Sequence, residues 1–253
     1  MSEKKLAIKG STLKWIAIIT MLIDHTGATI VQGMLVTVSA DDYQFWNVLY
    51  WVMRTIGRLA FPIFCYLLVE GIKHTSNPTK YAIRLLVFAF ISDMPFDYAF
   101  FGGWVVWAHQ NVFFTLFIGL IAVECGRFLE EWCNNSMLKY VMIAVSTFAF
   151  MVGADFLHTD YGSMGVLTIV LIYYFPRILP EKRKGFGFLL ALLPLILTNI
   201  FEAPALLDAL VIRKYDGTRG RQMKYFFYLF YPVHLLILGL LFHHFFKINF
   251  MTM

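Results

Sequence analysis

The stretch LKWIAIITMLIDHTGATIVQGMLV, residues 13–36, decides the fold. It is long enough to cross a bilayer as a helix, which takes about 20 mostly apolar residues. Yet it sets Asp24, His25 and Thr26 side by side near its middle. Lys14 stands at its start, and His25 comes about 16 Å deeper at ~1.5 Å per residue. A charge at that depth costs at least about 2.5–3.5 kcal/mol on insertion scales, so an ionisable group there is a functional candidate. Successive helix residues point about 100° apart, so Asp24 need not touch His25.

The rest of the chain repeats the pattern. It is 59% hydrophobic and only 15% charged, too apolar for an ordinary soluble domain. The expected fold is all-α: a polytopic transmembrane bundle of about 8–10 membrane helices, forming one integral domain over 1–253. Candidate spans are Trp15–Val36, Val48–Val69, Arg84–Phe101, Val112–Glu124, Leu138–Val152, Gly162–Pro176, Phe186–Ile200 and Tyr225–Phe246. Ala203–Ile212 is a shorter apolar piece, and the region from 186 to 212 reads as broken or re-entrant. With no small-residue cleavage site, the first apolar stretch is expected to be a membrane helix rather than a removed signal peptide.

Basic residues mark the cytoplasmic side. Lys4, Lys5, Lys9 and Lys14 place the N-terminus inside, as do Lys73, Lys80 and Arg84 for the next basic loop. Arg127 with Lys139, Arg177 with Lys182, Arg183 and Lys184, and RKYDGTRGRQMK, 213–224, continue the alternation. The acidic loop at Asp41 and Asp42 falls outside. These charges are topology signals, and the net charge of +5 does not imply a nucleic-acid partner. The expected partner is the lipid bilayer, and the expected location is the bacterial cytoplasmic membrane, crossed several times. Cys65, Cys125 and Cys133 match no zinc or redox spacing and read as packing residues.

Several polar groups fall at one depth. Arg54 and Arg58 are four apart on one helical face. An arginine pair in a membrane needs an anionic or carbonyl partner. Asp24 and Asp93 are the carboxylates on hand, and a purely structural reading has them knit the bundle together. Asp93 lies in a span that Pro95 is expected to kink. His234 is mid-membrane in the last span, after Pro232. Glu70 and His74 mark a cytoplasmic helix end, and Asn111 opens the fourth span.

No phosphate-binding glycine loop, HExxH, serine elbow or zinc cluster occurs, and no metal is expected. A buried imidazole, intramembrane arginines and a basic cytoplasmic rim suit acyl transfer. The histidine deprotonates an attacking amine or hydroxyl. Cationic groups stabilise the developing oxyanion. Rim cations hold the phosphates of an acyl donor. A carrier or flippase with a mid-membrane charged site is the alternative.

LKWIAIITMLIDHTG, RTIGRLAFPIFCYLLVEGIKHTSNPTKYAIRLLVFAFIS, QNVFFTL, DYGSMGVL and KYFFYLFYPVHLLIL together resemble the TraX family. That family takes its name from a conjugation-system protein that acetylates the N-terminus of F-type pilin. It is similar to the wider membrane acyltransferase-3 superfamily, whose signature is Arg or Lys, ten residues, then His in the first membrane helix. Lys14 and His25 fit that signature. The resemblance implies an acetyl-CoA-dependent O- or N-acetyltransferase, with the donor entering from the cytoplasm. It implies His25 as catalytic, with Asp24 and Arg58 beside it. Lys14, Arg54, Asp93, Asn111, His234, Glu70 and His74 are the expected substrate-binding residues. The acceptor stays open among a peptide, a pilin-like protein and a glycan. The stretch FEAPALLDALVIRKYD, 201–216, departs from the family pattern.

Overall fold

The computed structural model describes residues 7–179, 184–221 and 223–246. Lys4, Lys5, Lys182 and Arg183, used above as topology signals, lie outside the described residues. The described chain is all-α. In order it forms α1 (Gly10–Thr26), a π-helical turn (Gly27–Val31), α2 (Gln32–Thr37), α3 (Ala40–Gly57), α4 (Ala60–His74) and α5 (Pro78–Phe101). Then come α6 (Val112–Trp132), α7 (Ser136–Phe156), α8 (Gly162–Ile178), α9 (Lys184–Ala191) and α10 (Leu193–Thr198). A 3-10 helix (Ile200–Leu207), α11 (Asp208–Ile212) and α12 (Lys224–Phe246) complete the described chain.

Among the described residues, five helical stretches are long and apolar enough to cross a membrane: Gly10–Thr37, Ala40–His74, Val112–Trp132, Ser136–Phe156 and Tyr225–Phe246. Gly162–Ile178 and Gly185–Thr198 are shorter apolar helices. The expected span Val48–Val69 differs in detail, because its helix breaks at Arg58 and Leu59, between α3 and α4. The region after residue 186 is broken as expected, at Leu192 and again at Asn199. Helix α5 continues through Pro95 and α12 through Pro232, so neither proline ends its helix. Each still removes one backbone bond from its helix.

The chain divides into two compact units. The first draws on residues 1–64, 91–106 and 201–253. In it α1 packs against both α3 and α12, and the π turn touches the same two helices. Small residues set the close approaches: a Cβ at Gly239 would press on the Tyr98 ring at 2.8 Å, and one at Gly33 on Phe242 at 2.7 Å. The base of α1 is laced to the basic 213–221 loop. Ile8 N–H donates to the Lys214 carbonyl at 2.9 Å, Asp216 N–H to the Ile8 carbonyl at 3.0 Å, and Gly10 N–H to the Thr218 carbonyl at 2.8 Å.

The second unit draws on residues 65–90 and 107–200. Here α6, α7 and α8 pack against one another, and α9 and α10 lie on α8. Its core includes Leu120, Val123, Ile169, Ile172, Phe188 and Leu192. Cys65 and Cys133 are buried, Cys125 is half-buried, and all three are free thiols, in keeping with a packing role.

Asn111 starts this unit's first full helix. Its side chain accepts from Phe113 N–H at 3.1 Å, and its Nδ2 donates to the Ala89 carbonyl at 2.8 Å. The residue is fully buried. An Asn caps a helix because its side-chain oxygen takes an N–H that no turn precedes. Asn111→Ala removes that cap and leaves the buried Phe113 N–H without its acceptor, an expected loss of about 2–4 kcal/mol. Asn111→Asp keeps the cap acceptor and loses less. Denaturation in detergent measures both, and an unchanged midpoint for Asn111→Ala would refute the structural role.

Candidate active site

Helix α1 lies between α3 and α12, and its consecutive polar residues divide between them. Asp24 turns to α3 and His25 to α12, as a step of about 100° per residue allows. The sequence placed the two side by side. The fold sends each to a different partner.

Asp24 is gripped by both arginines. Arg54 Nη1 donates to Asp24 Oδ2 at 2.7 Å, and Arg58 Nη2 donates to Asp24 Oδ1 at 2.9 Å. Arg58 Nη1 also donates to Glu202 Oε1 at 2.7 Å. Two cations thus face two carboxylates, and the set is charge-balanced. Asp24 and Glu202 are buried, at 8% and 5% exposure. Buried charge is tolerated only when paired in this way. Gly57 makes the grip possible, because a Cβ there would collide with the Asp24 carboxylate. Arg58 sits at the break between α3 and α4, where its Nε also donates to the Arg54 carbonyl at 3.2 Å.

With both its oxygens taken by guanidinium groups, Asp24 does not bond the His25 ring. His25 Nδ1 instead lies 2.7 Å from His234 Nε2 on α12. The two imidazole planes differ by 2°, and their centroids are 5.0 Å apart. That separation is about the N–N distance plus the two ring radii, so the rings meet edge to edge in one plane. His234 Nδ1 lies 2.7 Å from the Phe230 carbonyl. His25 Nε2 makes no hydrogen bond among the described residues. His25 is half-buried and His234 buried. Phe100 and Tyr231 meet His25 edge-on, and the Phe230 ring covers His234.

The backbone is irregular at the same place. Directly after His25 and Thr26 the helix widens to a π turn over Gly27–Val31, and Thr29 Oγ1 donates to the His25 carbonyl at 2.6 Å. Single π turns inside α-helices recur at functional sites.

Arg54 is the less enclosed of the two arginines, with its side chain 27% exposed against 14% for Arg58. Only its Nη1 is committed, so its other N–H donors are free to meet a ligand.

The remaining expected residues make other contacts. Lys14 is half-buried at the base of α1, with Nζ 5.4 Å from the Phe227 ring centroid and the Arg219 charge nearby. Asp93 is half-buried on α5, and its charge acts on Asp97. Glu70, His74 and Asn111 belong to the second unit. There Glu70 pairs with Lys73 at 2.9 Å and approaches His74 at 3.8 Å, a local set at one helix end. Glu202 was not among the expected residues. A lone acid in an apolar run, FEAPALL, was the signal available for it.

The fold and the site together define an integral-membrane-type helical protein with a half-buried histidine beside a neutral cluster of paired charges. The sequence profile described as TraX protein matches residues 9–242, and the chain belongs to the TraX family. It is 31% identical over 258 residues to the "Probable fimbrial assembly protein FimC, serogroup H1" of Dichelobacter nodosus, covering 89% of this chain and 92% of that protein. No solved structure matches significantly.

Charge balance makes a specific prediction. Glu202→Ala leaves Arg58 with half its counter-charge and is expected to cost about 3–5 kcal/mol. Removing both partners, as Arg58→Met with Glu202→Met, leaves Asp24 paired to Arg54 alone, again neutral. The double variant is therefore more stable than Glu202→Ala. Unfolding in detergent decides it, and a double variant that is the least stable of the set would contradict the pairing.

Proposed function

We propose that this protein is a membrane-embedded acetyltransferase that uses His25 as its base and a cytoplasmic acyl-CoA as its donor. The observation that carries the reading is the His25 ring: one nitrogen is held by His234 and the other makes no hydrogen bond among the described residues. A base needs such an uncommitted nitrogen within reach of the proton it takes. Membership of the TraX family supports the choice of acyl transfer, as does the superfamily-like spacing of Lys14 and His25.

Acetyl-CoA brings an activated thioester as a substrate. The residues at the base of α1 suit its phosphates. Lys9, Lys14 and Arg219 gather on the laced segments 8–14 and 213–221. Asp216, the one acid of that loop, is turned to Thr218, whose N–H and Oγ1 donate to it at 2.8 and 2.6 Å. Those bonds hold its carboxyl below the usual carboxylate range, so it stays an occupied anion.

His25 Nε2 takes the proton of an acceptor amine or hydroxyl. The freed nitrogen or oxygen attacks the thioester carbonyl, the C–S bond breaks, and the thiolate regains a proton from His25. Arg54 donates to the oxyanion as it forms. Phe100 and Tyr231 flank the ring edge-on. The relative in Dichelobacter nodosus bears a fimbrial assembly name, which favours a pilin-like protein as acceptor over a glycan. The protein's place in this reading is the bacterial cytoplasmic membrane.

His25→Ala is expected to fold and insert as the wild type does and to transfer no acetyl group. Acceptor mass in membranes from cells making either form, read by mass spectrometry, checks this. An unchanged acetyl mark with His25→Ala sinks the assignment.

A further inference from the structure

The histidine pair contains more than a contact. A carbonyl oxygen only accepts, so the 2.7 Å approach of His234 Nδ1 to the Phe230 carbonyl requires that this nitrogen carry a proton. Two uncharged rings are the form that a mid-bundle apolar setting favours. A neutral imidazole has one N–H, so His234 Nε2 is then a bare acceptor. The nitrogen facing it at 2.7 Å, His25 Nδ1, must donate. His25 Nε2 is left bare, and it is the nitrogen without a hydrogen bond. The Phe230 carbonyl thus dictates, through two rings, which nitrogen of His25 is basic.

We propose that His234 is the positioning residue of the site: it fixes His25 in the Nδ1–H tautomer and aligns the ring, so that Nε2 is the basic nitrogen. A carboxylate often has this task in histidine-based sites. Here the carboxylate next in sequence, Asp24, is committed to Arg54 and Arg58. A neutral imidazole stands in its place. The Phe230 ring, 4.8 Å away at 21°, and the edge of Tyr231 hold His234 in the shared plane. When Nε2 accepts a proton, His25 becomes an imidazolium whose Nδ1–H still points at His234 Nε2. The positive charge then spreads along the same line of bonds towards the Phe230 carbonyl, with no atom moving far. The inference rests on His25 being the reacting base.

Two variants separate positioning from packing. His234→Phe keeps an aromatic ring of similar size and removes the acceptor. His234→Gln gives up the ring and keeps an acceptor near the position of Nε2. A purely structural role favours Phe, and a positioning role favours Gln. With acetyl-CoA as donor, His234→Phe is expected to lower kcat by about 100-fold or more, the scale of a misdirected acid–base group, with KM for the donor little changed. His234→Gln is expected to recover much of that loss. His234→Phe at wild-type rate, or Phe more active than Gln, overturns the proposal.

The tautomer is read independently of activity by nitrogen NMR of histidine-labelled protein in lipid discs, with His25→Ala assigning the signal. The expected result is a protonated Nδ1 and bare Nε2 on His25 in the wild type, reverting towards the ordinary Nε2–H form in His234→Phe. A wild-type His25 with Nε2–H, or a tautomer indifferent to His234→Phe, overturns the proposal whatever the kinetics show. The expected tautomer in a protein that moves no acetyl group leaves the histidine pair as described and overturns the acetyltransferase reading instead.

Discussion

Two arginines can sit inside an apolar helix bundle only if something balances them, and the Arg54–Asp24–Arg58–Glu202 cluster does so. It ties α1 to α3 and ties the 3-10 segment to both through side chains that are mostly buried. The rest of the first unit follows from it. Gly57 must lack a side chain for Asp24 to enter. The helix breaks at Arg58, the residue that reaches two carboxylates. Such a cluster is a poor source of stability compared with apolar packing. What it supplies is position: it specifies where α1 sits, and therefore where His25 points.

That placement separates two residues the sequence joins. Asp24 serves the charge cluster and His25 faces α12, so the histidine stands near strong charges yet bonds to none of them. The uncharged imidazole, which an apolar setting favours, is the form that accepts a proton. The π turn at Gly27–Val31 loosens the helix just past this point without ending it. The basic loop at 213–221 bonds to the base of the same helix, and Lys14 lies about 16 Å below His25 at ~1.5 Å per residue. Rim and ring are two ends of one rigid element.

Much of this was legible in advance, because the membrane makes polar residues conspicuous. The outlying His25, the paired Arg54 and Arg58, and His234 all follow from asking which ionisable groups sit too deep. The pairings were harder. Asp24 and Asp93 were the carboxylates on hand for the arginines, and Asp24 is paired with both, while Glu202 sits in a segment whose path could not be read from apolar length. Its 3-10 helix, interrupted by Pro204, follows two short helices, and no periodicity predicts where such a piece returns. The contact of His25 with His234 spans most of the chain, so sequence offered both residues but not their bond. Asn111 precedes an apolar run, the ordinary place of a helix cap, and the buried amide caps the helix there.

The central claim is that the polar step at residues 24–26 is a reaction centre served by a cytoplasmic acyl donor. It is tested most directly with purified protein and acetyl-CoA, following binding by calorimetry and, by a thiol assay, the slow CoA release in which water stands in for the acceptor and the acetyl group leaves as acetate. The account predicts saturable binding in both the wild type and His25→Ala, with CoA release in the wild type only. Folded wild-type protein that binds no acetyl-CoA at any practical concentration, or that releases CoA equally without His25, would contradict it.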